Sequence, residues 1–461
     1  MTKQSATRLA ELIRTRAVSP VEVVEAQLRR IERINPQLNA IVTLAPDALE
    51  RAREAEAAIM RGEAVGPLHG VPITVKDTIE THGLLTTSGS ALRARHVPSE
   101  DAPSVARLKA AGAILIGKTN VAEMAVTYQT DNPVFGRTNN PHDATRTPGG
   151  SSGGEAAAIS ACLSPAGLGS DLMGSIRVPA HFCGIAGLKP TTGSVPCAGH
   201  FPPATGPFSL GAVIGPMARR VEDLALLFRV VAGFNPPEPF SVPAGKARIE
   251  HRVDLRGWRV AWYAEDGVSP VTEETQRAVQ AAARALGEAG LIAVEEQPPG
   301  VERAPGLWTK LFARAGLDQM RSLYAGREEK AGPFVRFLLA TAVDAPPPAL
   351  DEFISAWMER DHLRAVLVEW MKTTPLIVAP VGAVPAFEHG ARKVSVAGRE
   401  ISVFHAHSYS QTFNVFGLPA VCVPAGRSRE GLPIGVQVVG RPFEENATLA
   451  AAAILEEVLG G

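Results

Sequence analysis

Cysteine is scarce. The four in this chain, at 162, 183, 197 and 422, never fall at C-x-x-C spacing. Zinc knuckles and redox dithiols of the usual pattern are therefore excluded, and so few thiols in so long a chain make no disulfide scaffold; reduced, buried thiols are expected. Neither charge is in excess, since 46 basic residues face 47 acidic ones for a net charge of −1. Such a balance points to no nucleic-acid partner and no anionic membrane surface. Long apolar runs are missing as well. The longest, 376–387, is too short to span a bilayer and contains Pro380 and Pro385. The N-terminal stretch MTKQSATRLAELIRTR is charged throughout and lacks the apolar core of a signal peptide. A cytoplasmic location is the expectation. No internal repeat or low-complexity tract stands out.

What is present divides into four stretches. Hydrophobic residues make up 45% of the chain, which fits a globular protein with a substantial core. The 461 residues exceed a typical domain, yet one large core can hold most of them. Residues 1–69 read as helices packed on that core. Ser19-Pro20-Val21-Glu22 supplies an N-cap serine, a proline at the first helical position and a glutamate three residues on. Val24, Leu28, Ile31 and Ile34 follow at helical spacing; Asn35-Pro36 is expected to stop the run, and a second helix to cover 47–61.

Residues 70–235 alternate short apolar runs with Gly, Ser, Thr and Pro clusters. Buried strands are expected at 71–75 and 113–116, with a helix over 104–111 before the second. This alternation predicts an α/β sheet with helices on both faces. Residues 236–370 open on Asn235-Pro236-Pro237-Glu238-Pro239 and carry helical patterns such as 272–289, so a helical cover is expected there. Residues 371–461 return to strand texture at 376–379, 420–424 and 435–439, and end in a helix over 446–459.

Two familiar patterns occur in the wrong context. Gly112-Ala113-Ile114-Leu115-Ile116-Gly117-Lys118-Thr119 fits G-x-x-x-x-G-K-[ST], but its middle residues are a strand and cannot curl their amides around a phosphate. Gly149-Gly150-Ser151-Ser152-Gly153 fits the G-x-S-x-G elbow, yet a polar loop precedes it where an elbow needs a strand. With His389, His405 and His407 downstream, an esterase of α/β-hydrolase type built on Ser151 stays open as an alternative.

A larger constellation carries more. Lys76 ends the run Gly70-Val71-Pro72-Ile73-Thr74-Val75 and precedes Asp77. It is either a surface lysine paired with Asp77, or a buried amine whose pKa desolvation lowers until it serves as a base. Gly149-Gly150-Ser151-Ser152-Gly153-Gly154-Glu155 runs directly into an apolar helix, which a solvated linker would not do. Gly169-Ser170-Asp171-Leu172-Met173-Gly174-Ser175-Ile176-Arg177-Val178-Pro179-Ala180 follows. Together the three supply a base, two hydroxyls and a loop of backbone N–H groups.

These motifs, in this order, resemble the amidase signature family. Cys183-Gly184-Ile185-Ala186-Gly187-Leu188-Lys189-Pro190-Thr191 is also family-like, as are the separations of 75 and 24 residues between Lys76, Ser151 and Ser175. Weaker similarity runs through Gly215-Pro216-Met217-Ala218-Arg219, Gly417-Leu418-Pro419-Ala420 and Leu432-Pro433-Ile434-Gly435-Val436-Gln437, and covers most of the chain outside 236–370. The resemblance implies an α/β/α sandwich on a central mixed sheet, with the signature core at 70–235 and a variable helical cover at 236–370.

By the same resemblance Ser175 is the nucleophile, Ser151 a bridging serine on a cis peptide bond, and Lys76 the base of a Ser–Ser–Lys triad. The backbone N–H groups of Leu172, Met173, Gly174 and Ser175 are the implied oxyanion donors. Ser152, Asp171 and Arg177 are supporting residues, Ser152 as an orienter of Lys76 and Asp171–Arg177 as an ion pair holding the loop. Met173, Tyr128 and the loops 125–135 and 197–208 are expected to face the substrate. The implied reaction is hydrolysis of an amide, anilide or carbamate by a monomer or homodimer. No cofactor or metal is implied, His405-x-His407 being a structural pair. The family usually has a second glycine where this chain has Met173. A further alternative, the partner-dependent glutamine amidotransferase component, normally keeps both glycines.

Overall fold

The computed structural model describes residues 1–243, 253–341 and 349–460. Among them, thirteen strands run in chain order: β1 (Ile41–Leu44), β2 (Pro72–Lys76), β3 (Ile114–Thr119), β4 (Ala166–Asp171), β5 (Ala186–Lys189), β6 (Val213–Ala218), β7 (Arg259–Trp262), β8 (Ile292–Glu295), β9 (Leu376–Pro380), β10 (Lys393–Val396), β11 (Arg399–Ser402), β12 (Ala420–Arg427) and β13 (Pro433–Gly440). Eleven form one sheet in the order β1-β3-β2-β4-β6-β5-β12-β13-β9-β7-β8, and β10 and β11 make a separate hairpin. The sheet is mixed: β3, β2 and β4 are parallel, whereas β4 to β9 through the middle are antiparallel.

Both faces of the sheet are covered, and the strand sequences show why. Leu376 and Val378 belong to one apolar core while Ile377 and Ala379 belong to the other, so alternate side chains of β9 point to opposite helical layers. Val421 and Cys422 divide in the same way on β12. One layer holds the helices Val221–Val231, Glu273–Glu288 and Glu445–Leu459; the other holds Arg177–Cys183 and Ser408–Val415. The result is the α/β/α sandwich.

Local signals are kept in most elements. The Ser19 capping box is formed, and Thr272 caps Glu273–Glu288 by accepting from Thr275 N. Pro36 does not stop its helix, which runs from Pro20 to Leu38. A proline so near the end removes only one ladder bond, and termination falls to Asn39 in the left-handed region. Segment 236–370 also does more than cover: β7 and β8 lie within it and extend the sheet, with β7 parallel to β9. Four-residue strands such as these give too short a periodic signal to stand out beside the long helices around them. All four cysteines are unpaired, and only Cys197 is more than marginally exposed.

Candidate active site

The parallel strands β2 and β4 end side by side, and their carboxyl ends carry Lys76 and Ser170-Asp171 to the same edge of the sheet. Ligand sites form at such ends because the loops that leave them converge there. The loop after Gly149 reaches this edge from another direction. A Cβ on Gly150 would lie 2.6 Å from the Thr127 carbonyl oxygen, so glycine is what lets the chain pass. The Gly150–Ser151 peptide is cis.

Lys76 is completely buried. Its ammonium donates to Ser151 Oγ at 2.7 Å, to Ser170 Oγ at 2.9 Å and, more weakly, to the Ser170 carbonyl at 3.5 Å. Burial pushes its pKa down to about 7, against the opposing pull of Asp171 and Glu155. Asp77 turns elsewhere, accepting from the Thr87 amide and hydroxyl, so the surface-pair reading of Lys76 fails. Ser152 does not touch the amine either; its Oγ lies against the Ser170 backbone and reaches Lys76 only through that residue.

Glu155, from the same glycine-rich motif, is buried beneath the site and accepts from Thr74 and Thr119. Burial raises its pKa to about 7. Gly167 of β4 makes the room: a Cβ there would run into the Glu155 carboxyl. Lys118, the lysine of the false phosphate loop, is spent on the Ile79 carbonyl and Thr81 Oγ1.

Ser175 follows β4 on a loop fixed from several sides. Arg177 donates to both Asp171 carboxylate oxygens at 3.0 Å and also binds Asn414 and Gln437, all of it buried. Burial alone would raise the Asp171 carboxyl; the Arg177 guanidinium outweighs it and holds the pKa at about 2. That carboxylate accepts from Gly174 N at 2.7 Å and Ile176 N at 3.1 Å. The Gly174 N–H, expected among the oxyanion donors, is therefore engaged by Asp171 instead. Trp308 and Tyr128 hold the loop by its carbonyls, donating to Leu172 O and Met173 O respectively.

Residue 174 is where glycine is needed, at φ +110° with Ser410 Cβ 2.6 Å from where a Cβ would stand. Met173 is not among the residues at positive φ, so methionine fits there without backbone strain.

A cavity of about 490 Å³ opens over these groups. Ser151, Ser170, Ser175 and His200 line it, as do the apolar side chains of Leu172, Met173, Phe208, Trp308, Phe312 and Met320. Phe312 sits in a wide helical turn, Thr309–Ala313, that continues the helix Ala304–Trp308. Tyr128, expected at the substrate, is fully buried behind the loop and is not part of the lining.

Ser170, His200 and Trp308 went unpredicted. Ser170 stands in the nucleophile motif itself, five residues before Ser175, and His200 lies in the expected wall loop 197–208. Nothing in the sequence singles out Trp308. His389, His405 and His407 each bond a backbone carbonyl and none lines the cavity, so none of the three is placed to serve an elbow on Ser151.

The mixed sandwich thus brings a buried lysine, two serines and a clamped glycine loop together at its strand ends. The family model described as Amidase matches residues 22–449. The chain is 34% identical over 468 residues to a glutamyl-tRNA(Gln) amidotransferase component of Synechococcus sp. (strain JA-2-3B'a(2-13)), covering 96% of this chain and 89% of that one. Among solved structures it is similar to 6-aminohexanoate cyclic dimer hydrolase complexed with substrate (TM-score 0.86, 30% identity, 99% and 97% of the two chains). A bacterial aryl acylamidase of the amidase signature family matches with TM-score 0.86 and 28% identity over 98% and 96%. The chain belongs to the amidase family, enzymes that act on carbon–nitrogen bonds.

Proposed function

We propose that this enzyme hydrolyses amides, anilides or carbamates bearing a bulky apolar group, through an acyl-enzyme on Ser175. The observation that carries the reading is the buried Lys76 amine 2.7 Å from Ser151 Oγ, in one cavity with Ser175.

Neutral Lys76 takes the Ser151 proton as Ser151 takes that of Ser175, and the Ser175 oxygen bonds to the carbonyl carbon. The N–H groups of Leu172, Met173 and Ser175 receive the oxyanion. On collapse the C–N bond breaks, the nitrogen leaves with the proton returned through Ser151, and Lys76 is neutral again. Water then adds to the acyl ester by the same relay and releases the acid. Asp171 and Arg177 keep the loop in place throughout.

The wall residues support the substrate class. Large apolar side chains, Leu172, Met173, Phe208, Trp308, Phe312 and Met320 among them, around about 490 Å³ suit an apolar or aromatic group, since transfer of such surface from water drives binding. The name of the aryl acylamidase neighbour is consistent with that choice. No helix among the described residues is long and apolar enough to cross a membrane, and a small-molecule substrate fits a cavity of this volume. The identity to the amidotransferase component favours a second reading, a chain that works only within a complex. Turnover of simple anilides and carbamates by the purified single chain separates the two. Fluorophosphonate labelling followed by peptide mass spectrometry tests the nucleophile: label on Ser175, lost in Ser175→Ala, is expected, and label on Ser151 would revive the esterase alternative.

A further inference from the structure

His200 touches the machinery without belonging to the triad. Its loop is fastened to the end of β2: Glu80 N donates to Gly199 O at 2.8 Å, Phe201 N donates to Thr78 O at 2.8 Å, and His200 bridges to Ile79. The imidazole is thus held a few residues from Lys76. Nδ1 lies 2.8 Å from the Pro202 carbonyl oxygen, and Nε2 lies 2.9 Å from Ser170 Oγ. A carbonyl only accepts, so Nδ1 carries the proton. Burial first, and the Lys76 charge second, hold the His200 pKa down to about 4. At neutral pH the ring is therefore uncharged, and Nε2 offers a lone pair.

That lone pair settles an ambiguity in the base. As an ammonium, Lys76 donates to Ser151 Oγ, Ser170 Oγ and Ser170 O. As an amine it has two N–H groups and one lone pair. The Ser170 carbonyl has no proton to give, so the lone pair can face one of two hydroxyls, Ser151 or Ser170. Only the first is productive. A Ser170 hydroxyl that donated to Lys76 would occupy the base.

We propose that His200 is a positioning residue for the catalytic base: by accepting the Ser170 hydroxyl proton it makes Ser170 an acceptor for Lys76 and leaves the lysine lone pair to Ser151. This rests on the Lys76–Ser151–Ser175 reading given above. The charged groups that act on Lys76 are Asp171 and Glu155, which favour its cation, and His200 faces it through Ser170. A Ser170 hydroxyl polarised toward His200 is also a better acceptor for the ammonium. Losing His200 therefore lowers the Lys76 pKa as well as misdirecting its lone pair.

The test follows fluorophosphonate labelling of Ser175 and anilide turnover against pH in wild type, Lys76→Ala, His200→Leu, His200→Gln and His200→Asn. Expected for His200→Leu is a plateau kcat about tenfold lower, the size of one misdirected hydrogen bond, and an acid limb displaced to lower pH. His200→Gln, whose amide oxygen can stand near the Nε2 position, keeps the wild-type limb and most of the rate. His200→Asn, which is too short, behaves as His200→Leu. Wild-type rate and limb in His200→Leu, or equal losses in the Gln and Asn variants, overturn the role. Should His200→Leu fail to fold, the Gln and Asn pair decides alone. The triad reading fails separately, and this role with it, if Lys76→Ala labels and turns over as wild type does.

Discussion

The Trp308 indole N–H donates to the Leu172 carbonyl oxygen at 3.0 Å, so the segment 236–370 grips the loop that leads to Ser175 directly. On the other side Tyr128, itself bound by Gln411, donates to the next carbonyl, Met173 O, at 2.6 Å. With both carbonyls held, the backbone from Leu172 to Gly174 is fixed from two sides. Trp308→Phe keeps the wall and removes the bond. Its kcat should fall about fivefold, from the loss of about 1 kcal/mol, with a thermal midpoint close to wild type. An unchanged kcat would show that the cover grips nothing of consequence.

Lys76→Ala should cost far more on an anilide than on an activated ester, because only the poor leaving group needs a proton from the relay. In the wild type the rate should rise with pH through about 7 as the amine becomes neutral, then level. Glu155→Gln removes a carboxylate that favours the lysine cation, so the midpoint of that rise should move to lower pH while the limb survives. Equal losses on matched ester and amide substrates in Lys76→Ala would contradict the relay.

Met173 lines the cavity and lies outside the positive-φ region, so Met173→Gly should leave the loop intact and change the wall. The ratio of kcat/KM for a bulky anilide to that for a small aliphatic amide should drop by about tenfold or more, the worth of a lost apolar contact. A uniform change on both substrates would point to loop geometry instead. Gly174→Ala, by contrast, meets Ser410 at φ +110° and should abolish activity on both.

Arg177→Met leaves the Asp171 carboxylate buried without its cation. Breaking such a pair costs about 3–5 kcal/mol, visible as a large fall in the denaturation midpoint. The Asp171 pKa is depressed to about 2. Its contribution is therefore complete above the unfolded value near 4 and lost as pH falls through about 2. The wild-type advantage over Arg177→Met should be widest at neutral pH and narrow in strong acid; a constant gap would rule out this linkage.

By itself the sequence determined the elements whose signals are local. Ser19 marks its helix because a cap needs only neighbours in the chain, and apolar β2, β3, β9, β12 and β13 announce themselves as runs buried on both faces. The three motifs carrying Lys76, Ser151 and Ser175 were legible for the same reason: each is a contiguous string of residue types.

The tertiary structure alone decided what those residues touch. Lys76 is held by Ser170, 94 residues away, and Ser170 by His200, neither marked by any spacing. It was packing that seated Tyr128 behind the loop and brought Trp308 onto Leu172. Hydrogen-bond partners in a buried site are chosen by which groups the sheet brings within about 3 Å of one another. That distance depends on strand order and loop closure, which a linear pattern does not contain.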